Sequence, residues 1–256
     1  MILDKTVIGM LHVEALPGTP YHKLPISQII QHTIEEAEVY LKHGIDTLLI
    51  ENMHDLPYLK RTVGPEITAA LAVIAYEVKK RFDVTLGIQV LAGANKEALA
   101  CALTAGADFI RVEGFVFAHV ADEGFMDGCA GELLRYRKYL AAENVKIFAD
   151  IKKKHSAHAI TADLSIVEAA KAAEFFGADG VIVTGNSTAA PADLMQLKDV
   201  KENVSIPVLV GSGITSDNIK EYQLYSDGVI VGSYFKEGGK WQNPLSNERI
   251  KKLLSA

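Results

Sequence analysis

The 256-residue chain is short of cysteine, tryptophan and positive charge. It has two cysteines, Cys101 and Cys129, and one tryptophan. Two thiols with no C-x-x-C and no zinc-finger spacing exclude a disulfide scaffold and a cysteine-built metal site. Each reads as a free thiol suited to a reducing compartment. No apolar run approaches the roughly 20 residues that a membrane span needs. The first residues, "MILDKTVIGMLH", lack a basic start and a small-residue cleavage site, so a cytoplasmic protein is expected. With 26 Lys and Arg against 32 Asp and Glu, the net charge is -6. That sign excludes the basic face of a nucleic-acid binder. Lys152-Lys153-Lys154 is a short run after an apolar strand, and no GxGxxG follows the first strand to bind a dinucleotide.

What the chain does have is apolar content, 49% of residues against 23% charged, enough for a large core. It also has a period. "GIDTLLIEN" from 44, "GADFIRVEG" from 106, "GADGVIVTG" from 177 and "YSDGVIVGS" from 225 each place Asp before a β-branched run. In the first three, Gly ends a helix and a short turn enters the strand. Between them lie four more strand-like runs, "TVIGMLHV", "TLGIQVLA", "VKIFADIK" and "PVLVGSGI". Helical patterns alternate with them at 26–43, 65–82, 95–105, 130–142, 166–176, 191–201, 216–224 and 246–254. Eight continuous apolar strands, each followed by a helix, predict a parallel sheet covered by helices. We expect α/β architecture, a single (β/α)8 TIM barrel over residues 1–256. An open doubly wound sheet is the alternative.

In such a barrel the site lies at the C-terminal ends of the strands. Alternation sends Ile110, Val112, Ile147 and Ile151 toward the helices. It leaves Phe109, Arg111 and Glu113 of the fourth strand inward, with Phe148, Asp150 and Lys152 of the fifth. The same rule turns His12, Glu51 and Gln89 inward. Buried charge is costly unless paired, so these groups read either as a catalytic cluster or as an ion-pair layer of Arg111 with Asp150 or Glu113. In the catalytic reading Lys152 is an electrophilic cation or a Schiff-base amine, and Glu113 or His12 serves as acid or base. His155, with His158, extends the same cluster. A divalent metal on His12, His155 and His158 with Glu113 or Asp150 is conceivable. With no HxH and no HExxH, however, no metal and no cofactor is expected.

The seventh and eighth strands end on Gly-Ser pairs, "VGSGI" and "VGSYFK". Gly and exposed N–H groups there, with a following helix N-terminus, suit a phosphate. Gly211, Ser212, Gly213, Gly232 and Ser233 are the expected contacts. Thr184, Gly185 and Gln89 border them, and Lys236 adds charge. Tight turns alone are the simpler alternative. Residues 114–130 make a long loop after the fourth strand, expected to be a lid or an oligomer contact carrying Phe115, Phe117 and Phe125. "GNSTAAP" after the sixth strand borders the same opening.

Several motifs resemble one family. "GMLHVEALPGTP", "ENMHDLPY", "DEGFMDGCAGELLRYRK", "ADIKKKHSAHA", "DGVIVTGNSTAAP" and "GSGITSDNIK" are similar to those of BtpA-family proteins, across almost the whole length. The resemblance implies a fold like that of ribulose-phosphate-binding barrels. Two functions are open. The polar cluster and the Gly-Ser strand ends point to an enzyme of isomerase or lyase type acting on a sugar phosphate or nucleotide-like compound. The other is a non-catalytic assembly factor, since the family is named for a factor needed for photosystem I accumulation. A homo-oligomer with a small phosphorylated ligand is expected. Asp150-Ile151-Lys152 also resembles the DxK element of proteins related to orotidine monophosphate decarboxylase. Those continue it as DxKxxD, and His155 stands where the last Asp would be.

Overall fold

The computed structural model describes residues 3–185 and 190–256. Each continuous apolar run forms a strand that needs cover on both faces; the intervening amphipathic helices cover the outer one and the barrel's own interior side chains the inner one. In chain order these are β1 (Thr6–His12), α1 (Ile26–Lys42), β2 (Thr47–Glu51), α2 (Pro65–Arg81), β3 (Thr85–Gln89), α3 (Asn95–Ala105) and β4 (Phe109–Val112). A hairpin of β5 (His119–Ala121) and β6 (Gly124–Met126) precedes α4 (Ala130–Tyr139) and β7 (Lys146–Ile151). Then come β8 (Ser156–Ala157), α5 (Ile166–Phe175), β9 (Gly180–Thr184), α6 (Leu194–Asn203), β10 (Val208–Gly211), α7 (Ile219–Leu224), β11 (Gly228–Val231) and α8 (Asn247–Leu254). The barrel closes in the order β1-β11-β10-β9-β7-β4-β3-β2, all parallel. This is the expected TIM barrel. Among the described residues no helix is long and apolar enough to cross a membrane.

Alternation divides the core in two. Ile8, Met10, Leu49, Phe109, Phe148, Ile182, Leu209 and Ile230 fill the barrel, while Ile110, Val112, Ile147 and Ile151 join the larger layer under the helices. The Phe109 and Phe148 rings meet edge to face at 5.5 Å. They occupy space that two glycines leave open. A Cβ on Gly87 would lie 2.2 Å from Phe109, and one on Gly180 would lie 2.5 Å from Phe148.

Three of the four repeated Asp residues, Asp108, Asp179 and Asp227, share a job at the opposite end of the barrel from the site. Asp108 donates its N–H to Leu86 O and accepts from Leu86 N at 2.8 Å. Asp179 does the same with Ile147, and Asp227 with Val208. A cation holds each carboxylate from outside, namely Lys79, Arg137 and Lys201. The period therefore records a staple between neighbouring strands at the N-terminal face.

Residues 114–130 are not an irregular loop. β5 and β6 pair antiparallel, and β8 adds to β5, making a three-stranded sheet in the order β6-β5-β8. Phe115, expected against a neighbouring subunit, is instead buried in this chain's own core, while Phe117 and Phe125 are exposed. Residues 186–189 of "GNSTAAP" lie outside the described residues.

Asp227→Ala should lower the unfolding free energy by about 1–3 kcal/mol, the cost of leaving a buried N–H and a cation without their acceptor. Urea titration measures the loss. Because the staple lies at the face opposite the site, binding at the mouth should be unchanged.

Candidate active site

The floor of the mouth is an ion pair. Arg111 on β4 and Asp150 on β7 point inward from strands that pair directly. The guanidinium donates through Nε and Nη2 to both carboxylate oxygens at 3.1–3.2 Å. Both side chains are almost wholly buried. Burial raises the Asp150 carboxyl, and the Arg111 charge opposes that rise. The forked geometry suits a pair removed from water, and losing one partner of such a pair costs about 3–5 kcal/mol.

Around this floor stand groups from three strands. Glu51 is buried, and burial raises its pKa against the pull of Arg111 and Lys154. Its Oε2 lies 3.7 Å from His12 Nε2. Burial first, then the Lys236 charge, holds His12 well below its ordinary value. Burial thus favours the neutral imidazole, which weakens the His12–Glu51 contact as an ion pair. Gln89 donates through Nε2 to Glu113 Oε1 at 3.3 Å. That bond fixes the amide's orientation and leaves Gln89 Oε1 buried without a donor.

Lys152 requires a correction. β7 ends at Ile151, and Lys152 adopts φ 44, which breaks the alternation. Its ammonium turns away from the mouth and donates to the carbonyls of Thr161 and Leu164. Lys153 instead reaches inward and pairs with Glu113 at 3.1 Å, and Lys154 lines the mouth. His155 borders the same space as Gln89 and Glu113. Among the described residues no group of three His, Cys, Asp or Glu is placed to hold a metal ion.

Two cavities share this floor. One, of about 150 Å³, is lined by His12, Glu51, Arg111 and Lys154 on one side, and by Ser212, Gly213, Gly232 and Ser233 on the other. The second, of about 220 Å³, shares Glu51, Met53, Arg111 and Lys154 with the first and extends to Tyr58, Gln89, Glu113, Glu123, His155 and Trp241. Ser212 sits at φ 71, and its buried Oγ has no hydrogen-bond partner among the described residues. The N–H groups of Ser212, Gly213, Ser233 and Tyr234 have no acceptor among the described residues.

Parts of the expected anion site are placed differently. The helices after β10 and β11 begin only at Ile219 and Asn247, too far along the chain for their first turns to follow the Gly-Ser pairs directly. Lys236 is buried against Glu36 on α1. The cation at the rim is instead Arg249 of α8, stacked 4.3 Å over the Tyr234 ring. Gly213, at φ 64, leaves room for the chain itself, since a Cβ there would lie 2.4 Å from Pro191 N. Gly185 likewise yields to Ala190, and Thr184 accepts the Lys154 N–H at 3.2 Å. Gly211 ends β10 beneath the rim.

Sequence reasoning missed Lys154, Arg249 and Trp241. Trp241 packs edge-on against His54 at 4.8 Å and closes one wall of the second cavity.

The sequence matches the BtpA family over residues 3–256. The chain belongs to the BtpA family. It is 53% identical over 97% of its length to an uncharacterized mitochondrial protein of Caenorhabditis elegans, covering 91% of that protein. It is 32% identical to the photosystem I biogenesis protein BtpA of Synechocystis, over 98% of this chain and 87% of that one. Two solved barrels share the fold. Thiamine phosphate pyrophosphorylase from Pyrococcus furiosus aligns with a TM-score of 0.60 and 16% identity, covering 98% of this chain and 94% of that one. N-(5'-phosphoribosyl)anthranilate isomerase from the same organism aligns at 0.58 and 14%, covering 98% and 97%.

In this BtpA-family chain the hairpin also buries a titrating group beside Lys152, away from the two cavities of the mouth. His119 on β5 is pushed down from 6.5 to about 4, first by burial and then by Lys153 and His158, with Glu113 opposing. A histidine whose native pKa is depressed resists a proton that the unfolded chain accepts. Its contribution to stability is full above about pH 6.5 and is lost as the pH falls toward 4. His119→Gln should flatten the fall in unfolding free energy over that window, as measured by urea titrations at several pH values.

Proposed function

We propose that this BtpA-family protein is an enzyme that binds a small phosphorylated metabolite across the two cavities. The phosphate sits on the rim formed by Ser212, Gly213, Gly232 and Ser233, and the rest of the molecule reaches over Arg111 toward Gln89. The observation that carries the reading is the buried, unpartnered Ser212 hydroxyl among free N–H groups, with Arg249 in the same cavity. Donors without acceptors around a small concave space, next to a cation, call for an anion. The second cavity has the reverse character. Gln89 Oε1 and Glu123 Oε2 are buried acceptors without donors, so the far end of the ligand carries hydroxyl or amino groups.

Isomerase or lyase chemistry suits these side chains. Glu51, its pKa raised by burial and its carboxyl lining both cavities, is the group placed to hold or take a proton. Arg111 offers positive charge to a developing oxyanion. The name of the Synechocystis relative favours a second reading, an assembly factor without catalysis. Phe117, Val120 and Phe125, exposed on the hairpin and its approach, would then be its docking surface. Mass spectrometry of small molecules released by denaturing the purified protein separates the two. A stoichiometric phosphorylated compound supports the enzyme reading, and an empty mouth that also fails to bind phosphate or sugar phosphates overturns it.

Calorimetric titration with inorganic phosphate should show saturable binding. Arg249→Ala should weaken it by about tenfold or more, the loss of one charge-assisted contact at about 1.5–3 kcal/mol. Lys152→Ala should leave it unchanged, because that ammonium is turned away from both cavities.

A further inference from the structure

Three consecutive lysines after β7 meet three different fates. Lys152 is tied to two carbonyls and Lys153 to Glu113. Lys154 is held by its backbone, through the N–H bond to Thr184 Oγ1, yet its ammonium makes no hydrogen bond or ion pair among the described residues. It stands where the two cavities meet, lining both. The side chain is half-buried, and a purely structural lysine there would be paired as its two neighbours are. Burial lowers its pKa first and Arg111 adds to that, while Glu51, Asp150 and Glu113 oppose. These are the surroundings that activate an amine.

We propose that Lys154 is a nucleophile that forms an imine with the carbonyl of a phosphorylated aldehyde or ketone sugar. The inference rests on the phosphate reading above and names the substrate class. The neutral amine adds its lone pair to the carbonyl carbon, giving a carbinolamine. Glu51, in its acid form, gives a proton to the departing hydroxyl, and water leaves as the C=N bond forms. The resulting iminium draws electrons from the adjacent carbon. The Glu51 carboxylate then takes a proton from that carbon and returns it to the opposite face for epimerisation. Alternatively it takes the proton from a β-hydroxyl, so that the C–C bond breaks, an aldehyde leaves and the enamine carbon takes the proton back. Hydrolysis returns the amine. No oxidant, reductant or cofactor is consumed.

Borohydride trapping tests this. The full-length protein is incubated with glycolaldehyde phosphate and sodium borohydride, and the modified residue is located by peptide mass spectrometry. The expected result is one adduct per chain, at Lys154, which inorganic phosphate suppresses and Lys154→Arg reduces to background. Adducts spread over surface lysines, or the same yield in Lys154→Arg, would overturn the proposal. Phosphate binding by calorimetry with no adduct at Lys154 rejects the amine and keeps the phosphate site. An adduct at Lys154 that forms equally with unphosphorylated glycolaldehyde, and that phosphate does not suppress, keeps the amine and rejects the phosphate site. Lys154→Met serves as a folding control and should unfold at about the same urea concentration as the parent, because the half-buried ammonium makes no hydrogen bond or ion pair among the described residues. Loss of stability in that variant would mark the ammonium as structural.

Discussion

The buried pair of Arg111 and Asp150 is the constraint around which the site is arranged. Below it the barrel is filled by apolar side chains, with Phe109 and Phe148 at the centre. Above it His12, Glu51 and Gln89 turn polar groups inward. A guanidinium closed on a carboxylate is the group that can face both regions. It satisfies its own charge internally and still presents an edge to the two cavities it lines. Without that floor, Glu51, Glu113 and Lys154 would lose the charge that balances them, and water would have a path to the barrel interior.

The mouth is divided by chemistry. The side made by β10, β11 and α8 is rich in donors that lack acceptors, while the side made by β3, β4 and the β5–β6 hairpin is rich in acceptors that lack donors. Such complementary deficits within one opening describe a ligand with an anion at one end and hydroxyl or amino groups at the other. Between them lie the groups suited to proton transfer and nucleophilic attack, Glu51 and Lys154. The fold likeness to the two Pyrococcus furiosus enzymes concerns architecture, and the chemistry is argued from these side chains alone.

Much of this was legible in the sequence, and the failures have specific causes. Strand alternation placed Arg111, Asp150, Glu51, Gln89 and His12 correctly, because continuous strands keep a period of two. It failed at Lys152, where a left-handed residue reverses the order. No Gly, Asn or Asp marked that turn, so nothing in the sequence signalled it. Lys236 was misread for a related reason, since the 3-10 turn after β11 rotates it toward Glu36 on α1. Arg249 and Trp241 arrive from a loop and helix well beyond the last strand, a long-range placement that local pattern does not encode. The Asp repeat was visible as a period, but its meaning, a staple between strands, needed the pairing partner.

The central claim is that the Gly-Ser rim of β10 and β11 is an anion site joined to the polar floor. Crystals soaked in tungstate, a heavy mimic of phosphate, give the most direct test through the anomalous signal. The account predicts one strong peak within hydrogen-bond reach of Ser212 Oγ, the Ser233 N–H and the Arg249 guanidinium. A rim closed by side chains with no peak, or a peak elsewhere on the barrel mouth, would contradict it.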